Sequence, residues 1–98
     1  MKDFNYQKID DLIHSRIRLA IVSVLISVDE ADFNFLKSKV NTTDGNLSVH
    51  LKKLEDAKYI SVKKNFVDRK PNSSYKLTAT GSKAFENYVN KLEELLKK

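Results

Sequence analysis

The sequence predicts a mainly α-helical fold that carries one small β-hairpin. Its 98 residues include only two glycines and one proline, so long stretches are free of residues that break helices. Apolar residues recur at intervals of three and four in several segments, which is the period of an amphipathic helix. After Tyr59 the pattern changes to an approximate alternation, which is typical of strands. A chain of this length has room for one modest core, so we expect a single domain over residues 1–98.

Two helices are expected before residue 29. Ile9, Leu12 and Ile13 predict a short helix that ends near His14, and Ser15 is a good N-cap for the next helix. Over residues 17–28 the apolar side chains form two stripes on opposite sides of that helix. One stripe contains Ile17, Ile21, Val24, Leu25 and Val28, and the other contains Leu19, Val22 and Ile26. Because a helix that is apolar on both sides is buried on both sides, we expect a partner subunit to cover the second stripe.

A pair of helices joined by a tight turn is expected over residues 32–58. Asp32 is placed to cap a short helix that runs to about Val40, and Thr43 is placed to cap a second helix over residues 44–58. The second helix buries Leu47, Leu51 and Leu54, which follow helical spacing. Its opposite face presents polar and basic side chains together with one valine: Asn46, Ser48, Val49, His50, Lys52 and Lys53.

A hairpin and a long helix complete the pattern. We expect a strand from Ile60, an exposed loop over residues 67–73, and a return strand over residues 74–77. Thr78 is expected to cap a last helix over residues 78–97. In that helix Phe85, Tyr88, Leu92 and Leu95 have the spacing of a coiled-coil seam. This order of elements is that of a winged helix-turn-helix, with the helix-turn-helix over 32–58, the wing over 60–77 and a C-terminal dimerisation helix over 78–97.

The net charge of +5 is concentrated in one segment. Residues 58–76 contain six basic side chains and only one acidic side chain, Asp68, whereas residues 1–57 carry a net charge of −1. Such a concentration favours an anionic partner, although a solvated hairpin surface is the alternative explanation.

Several function classes have no support in the sequence. Without cysteine, the chain has no disulfides and no thiolate metal ligands, and we expect neither a metal nor another cofactor. No Ser/His/Asp arrangement or glycine-rich phosphate loop points to an enzyme. No stretch of about 20 apolar residues indicates a membrane span, and no signal peptide is recognisable. We therefore expect a cytoplasmic protein that makes no membrane contact.

The pattern instead favours binding of double-stranded DNA by a homodimer. A helix with one apolar face and one polar, basic face suits the major groove, and the basic hairpin suits the backbone or the minor groove. The expected DNA-binding residues are Thr43, Asn46, Ser48, Val49, His50, Lys52, Lys53, Lys63, Lys64, Arg69 and Lys70. The expected dimer interface contains Leu19, Val22, Ile26, Phe85, Tyr88, Leu92 and Leu95. Two alternatives are a protein–protein adaptor that uses the basic hairpin on an acidic partner, and an RNA-binding protein.

Three stretches resemble small one-domain winged helix-turn-helix regulators related to the ArsR and MarR groups. They are the opening helix LIHSRIRLAI (12–21), the recognition helix TDGNLSVHLKKLE (43–55), and the wing, FVDRKP (66–71) followed by YKLT (75–78). The resemblance covers roughly residues 9–96. It implies a winged helix, a homodimer formed by the first and last long helices, and operator binding, usually as a repressor. Separately, a pocket between the two dimerisation helices is an option for an unknown small-molecule effector. The chain departs from the pattern at Arg16, where Pro is usual, and at Asp68, where Gly is common.

Overall fold

The computed structural model describes residues 9–97; residues 1–8 and 98 of the expected domain lie outside the described part. Four helices and three strands follow one another along the chain. They are α1 (Arg16–Ile26), β1 (Ala31–Asp32), α2 (Phe33–Val40), α3 (Asp44–Asp56), β2 (Ile60–Val67), β3 (Lys70–Leu77) and α4 (Ala79–Leu96). Apart from a short helix expected before Ser15, the helices and the β2–β3 hairpin occur in the order that the sequence predicts, so the expected winged helix-turn-helix fold is confirmed.

The start of each helix is stabilised by a side chain that accepts a hydrogen bond from a backbone N–H of the first turn. Ser15 accepts from Arg18 N, and Asp32 accepts from Phe35 N at 2.8 Å. Thr43 accepts from Asn46 N at 3.1 Å, and Thr78 accepts from Gly81 N at 3.0 Å. These bonds satisfy donors that have no partner inside the helix. All four N-caps expected from the sequence are confirmed.

The core is formed by apolar side chains from the first three helices and the first residues of the sheet. Leu47, Leu51 and Leu54 of α3 are at most 3% exposed, as the helical spacing predicts. They form one cluster with Ile21, Val22, Leu25, Ala31, Leu36 and Ile60. This cluster holds the apolar side of α3 inward, so the opposite side of the helix faces solvent.

Residues 9–14 form a turn, and the prediction of a short helix there is wrong. The Asp10 carboxylate accepts hydrogen bonds from the backbone N–H groups of Leu12 and Ile13, at 2.8 and 3.2 Å. The backbone carbonyl of Asp10 accepts from His14 N at 2.8 Å. These are the bonds of a helix N-cap, but the chain completes only one turn before Ser15 caps α1, so no helix is formed. The turn nevertheless places Ile13 fully inside the protein.

The sheet has three antiparallel strands in the order β1-β3-β2. This is one strand more than the two of the expected hairpin. The additional strand is β1, whose two residues, Ala31 and Asp32, pair with Tyr75 and Ser74 of β3. A strand this short has no periodic pattern of its own, so it is recognisable only through its partner. By pairing with β3, it ties the hairpin to the start of α2.

The hairpin is longer and its turn tighter than the sequence predicts. β2 and β3 stay paired from Ile60↔Leu77 to Val67↔Lys70, so the expected loop over residues 67–73 is wrong. The turn consists of Asp68 and Arg69, which both have positive φ, 52° and 67°. Two such residues in a two-residue turn give the twist that fits a hairpin. Asn or Gly in the turn is the usual sequence signal for a hairpin of this kind, and the Asp68–Arg69 turn contains neither.

The end of α3 and the beginnings of β2 and α4 meet at Tyr59. Tyr59 N donates to the carbonyl of Leu54 at 3.0 Å, and Lys58, with a φ of 65°, donates to Glu55, which is the Schellman arrangement of a helix end. The carbonyl of Tyr59 accepts from the backbone N–H and the hydroxyl of Thr78, both at 3.0 Å. A Cβ added at Gly81 would lie 2.1 Å from that same carbonyl oxygen. The close approach at this junction therefore requires glycine.

Replacing each of the two glycines of the chain by alanine is expected to have opposite effects on the free energy of unfolding. Gly81→Ala should lower the free energy of unfolding by about 1–3 kcal/mol, because the new methyl group forces the Tyr59 carbonyl away. Gly45→Ala should leave it unchanged or raise it by up to about 1 kcal/mol, because nothing lies within 4 Å of the added carbon and alanine favours helix. Urea unfolding followed by circular dichroism measures the free energy of unfolding of both variants. A Gly81→Ala protein as stable as the wild type would contradict the close approach of the Tyr59 carbonyl to Gly81.

Candidate nucleic-acid interface

The outer face of α3 is open to solvent. Asn46, Ser48, Lys52 and Lys53 are exposed, and Val49 is 54% exposed. At 100° per residue these positions lie on the side away from the buried Leu47 stripe. The face combines amide, hydroxyl, apolar and cationic groups, which are the groups that contact base edges and phosphates in a major groove.

The start of α3 is held against α2. Asp44 forms an ion pair with Lys37 of α2, with 2.6 Å between the Lys Nζ and a carboxylate oxygen. As the first residue of α3, its negative charge also lies at the positive end of the helix dipole. Thr43, one of the predicted DNA-binding residues, uses its hydroxyl oxygen as the N-cap acceptor. The ion pair joins the two helices at the surface, and the cap stabilises the first turn of α3.

His50 contacts α1 through Arg18, a contact that sequence reasoning missed. Nη1 of Arg18 lies 2.8 Å from Nδ1 of His50, and Nε of Arg18 donates to the carbonyl of Leu12. Burial first, and then the positive charges of Arg18 and Lys53, lower the pKa of His50 below its ordinary value of about 6.5. A guanidinium group only donates, so Nδ1 is the acceptor and His50 is neutral, with its proton on Nε2.

The hairpin carries a dense positive charge. Residues 60–77 contain five basic side chains against the single acid Asp68, a net charge of +4. The four basic residues predicted to bind DNA, Lys63, Lys64, Arg69 and Lys70, are all exposed. Within residues 9–97 none of the four has a carboxylate partner within 4 Å. Because β2 follows α3 after only three residues and packs against it, the charged hairpin extends from the end of the helix-turn-helix.

The residues predicted to form a dimer interface differ in their exposure. Val22 is fully buried and Tyr88 is 4% exposed within the single chain, so neither side chain has surface to offer a partner, and this corrects their assignment. Val22 belongs to the core, and the hydroxyl of Tyr88 lies 2.9 Å from Nδ1 of His14. Ile26 and Leu95 are 46% and 41% exposed, while Leu19, Phe85 and Leu92 are half-buried.

An open cleft of about 850 Å³ lies between the turn at Asp10 and the first half of α4. Tyr59, Lys83, Asn87, Tyr88 and Lys91 contribute to its lining. The phenol of Tyr59 donates a hydrogen bond to the Asp10 carboxylate. Burial first, and then the hydrogen bond and the charge of Asp10, raise the pKa of Tyr59 to about 12. Its phenol is therefore neutral at ordinary pH.

Neither a metal site nor a membrane-spanning helix is found in the part of the chain that the structure describes. Over residues 9–97, no three His, Cys, Asp or Glu side chains come together in a group that a metal ion needs. No helix in this range combines the length and the apolar character of a membrane span.

Three known proteins are similar to this chain in sequence or in structure. An uncharacterized protein of Methanocaldococcus jannaschii is 37% identical over 86 residues, which are 88% of this chain and 94% of that protein. A transcriptional regulator homologue of Pyrococcus horikoshii superposes with a TM-score of 0.80 at 24% identity, over 87% of this chain and 84% of that one. NadR, solved in complex with 4-hydroxyphenylacetate, gives a TM-score of 0.72 at 24% identity; the match covers 87% of this chain and 60% of NadR. Both structural likenesses establish the shared fold.

The family model of the winged helix DNA-binding domain matches residues 17–96. This range includes α2 and α3, the charged hairpin and α4, and it agrees with the resemblance found in the sequence. The chain therefore belongs to the winged helix DNA-binding domain family, whose fold is that of transcriptional regulators.

Proposed function

We propose that this protein is a cytoplasmic transcriptional repressor that binds double-stranded DNA as a homodimer. In the proposed complex α3 lies in the major groove, and the β2–β3 hairpin, the wing, lies on the backbone or in the minor groove. The observation that carries the proposal is the combination of an exposed polar face on α3 with a neighbouring hairpin whose basic side chains lack carboxylate partners within residues 9–97. Such charge attracts the phosphate backbone, and such a face reads base edges.

The side chains of α3 divide between base edges and phosphates. Asn46 and Ser48 offer short hydrogen-bonding groups, and Val49 offers an apolar contact of the kind that a thymine methyl accepts. Lys53 is exposed and suited to a phosphate. Lys52 forms an ion pair with Asp56 at 3.0 Å, and it exchanges this partner for a phosphate on binding. His50, with Nδ1 facing Arg18, keeps an Nε2–H that donates to acceptors such as guanine N7 or O6.

The homodimer is proposed from the C-terminal half of α4. Val89, Leu95 and Leu96 are 38%, 41% and 81% exposed, and Leu92 lies outside the core cluster and the side chains packed on it. A helix end with several exposed apolar residues is stabilised by a partner helix. Ile26 of α1 adds an exposed apolar side chain. Two subunits place two α3 helices on DNA, about 34–36 Å apart for half-sites one turn apart.

A small effector is a further part of the proposal. NadR is solved in complex with 4-hydroxyphenylacetate, and the open cleft beside α4 is the place that we propose for a small molecule in this chain. Tyr59 and Tyr88 line the cleft and contact Asp10 and His14 before α1, so an occupant would lie between that turn and α4.

Neutralising the wing should abolish binding to random duplex DNA. The variant replaces Lys63, Lys64, Arg69 and Lys70 by glutamine, and fluorescence anisotropy measures binding between about 50 and 200 mM salt. For the wild type we expect affinity to fall steeply over this range, by about 10³ or more if six phosphates are contacted. The control is Lys83→Gln with Lys91→Gln, which removes two lysines of α4 and should retain binding. A folded wild-type dimer that binds no DNA at low salt would instead favour the protein-adaptor function.

Charge on the α4 seam should separate the subunits without unfolding them. Leu92→Glu with Leu95→Glu should give a monomer in size-exclusion chromatography with light scattering at micromolar concentration, because both glutamates would be buried between the helices of a dimer. The helix-turn-helix core should remain folded, since neither residue belongs to the core cluster. As a control, Glu93→Gln on the same helix should remain dimeric. A wild type that is monomeric would contradict the homodimer.

Protonation of His50 should occur below its ordinary pH range. Since the folded state holds the neutral imidazole, the stability that His50 contributes is present above pH 6.5 and is lost as the pH falls from there toward the lowered pKa. An NMR titration of the His50 ring should have its midpoint below 6.5, and Arg18→Gln should raise that midpoint because a neighbouring positive charge is removed. A wild-type midpoint at or above 6.5 would contradict the Arg18–His50 contact.

A further inference from the structure

The tip of the wing exposes apolar side chains that the fold does not use. Phe66 is 74% exposed and Val67 is 52% exposed. Because side chains alternate along a strand, these two residues lie on opposite faces of the hairpin. Pro71 is the cross-strand partner of Phe66, and it is exposed as well. One face of the tip therefore presents an exposed apolar pair, Phe66 and Pro71. Because large apolar side chains are usually buried, this exposure needs an explanation.

The shape of the tip is that of a free two-stranded ribbon. β1 pairs with β3 only at Tyr75 and Ser74, so the four outermost pairs, from Lys64↔Ser73 to Val67↔Lys70, have no third strand beside them. Pro71 supplies no N–H, and the tight turn makes Val67↔Lys70 a hydrogen-bonded pair. The next pair, Phe66↔Pro71, is then a non-hydrogen-bonded one, so no ladder bond is lost. The ribbon remains narrow and regular up to its turn.

The charge around the apolar pair identifies the kind of surface that it meets. Lys64 lies on the same face as Phe66, two residues away, and Arg69 and Lys70 follow at the turn. An apolar pair bordered by cations fits a partner that has an apolar floor between two rows of anions. The minor groove of DNA meets this need with its walls rather than its floor, since the floor carries polar base edges while the walls are deoxyribose between rows of phosphates; apolar side chains such as Phe and Pro are used in this groove as wedges.

We propose that Phe66 and Pro71 form a wedge that packs against the deoxyribose walls of the minor groove, while the neighbouring basic side chains neutralise the phosphates on either side. The wedge rests on the proposed DNA-binding function, and it adds a contact that the basic residues alone do not provide. Its contribution comes from apolar burial. It is therefore independent of salt, unlike that of the lysines.

Salt dependence separates the wedge from the charges. Phe66→Ala should weaken binding to a random duplex roughly tenfold at every salt concentration, as expected for burying about half of a phenylalanine side chain. The slope of log affinity against log salt should stay that of the wild type. Lys64→Ala should instead reduce that slope by about 1. Val67→Ala, on the opposite face of the tip, is the matched control and should bind as the wild type. Thermal unfolding of Phe66→Ala should be unchanged, since this side chain is mostly exposed.

A duplex with inosine in place of guanine identifies the groove. This substitution removes the amino group from the minor groove and makes it more accessible. Wild-type affinity should rise several-fold on the inosine duplex, and Phe66→Ala should lose this gain. Equal binding of Phe66→Ala and wild type, or a wild type that does not distinguish the two duplexes, would overturn the wedge alone. A wild type without salt-dependent DNA binding would overturn both the wedge and the proposed function.

Discussion

The backbone carbonyl of Tyr59 is the point on which the arrangement of α3, the wing and α4 depends. It accepts two hydrogen bonds from Thr78, the N-cap of α4. Gly81 allows it to lie against the first turn of that helix. One residue earlier, Lys58 ends α3 in the left-handed conformation, so the chain leaves the helix directly into β2. Because the phenol of Tyr59 also donates to Asp10, a single residue joins the turn before α1 to all three elements.

The parts of the fold that the sequence predicts correctly are those determined by near neighbours. A cap such as Thr43 bonds to a backbone group three residues away, and the Leu47 stripe repeats within a single helix. Elements that depend on distant partners are not readable in this way. β1 exists because Ala31 meets Tyr75, and the importance of Gly81 depends on a carbonyl 22 residues earlier.

The candidate site shows the same division between local and distant information. Composition and helical spacing place Ser48 and Lys53 on the outer face of α3, and the structure leaves both exposed. The bond between Arg18 and His50 spans 32 residues, so the sequence does not disclose which nitrogen of His50 carries the proton. Asp68 and Arg69 adopt positive φ without being glycine, at a cost on the order of 1 kcal/mol each. Such departures from local preference are expected where a surface has another role, and here they place a guanidinium at the tip of the wing.

The distribution of charge assigns different tasks to α3 and the wing. α3 contains three acidic and two basic side chains, a net charge of −1, and two of its acids are paired, Asp44 with Lys37 and Asp56 with Lys52. A nearly neutral helix provides little long-range attraction to a polyanion, so in the proposed complex the general affinity for DNA comes from the wing. The helix is then free to contribute discrimination, because contacts to base edges gain or lose hydrogen bonds with sequence whereas phosphate contacts do not. Since the proposed complex places attraction on the wing and base reading on α3, and both elements are joined at Tyr59, the junction would determine whether the helix is in register when the wing is bound.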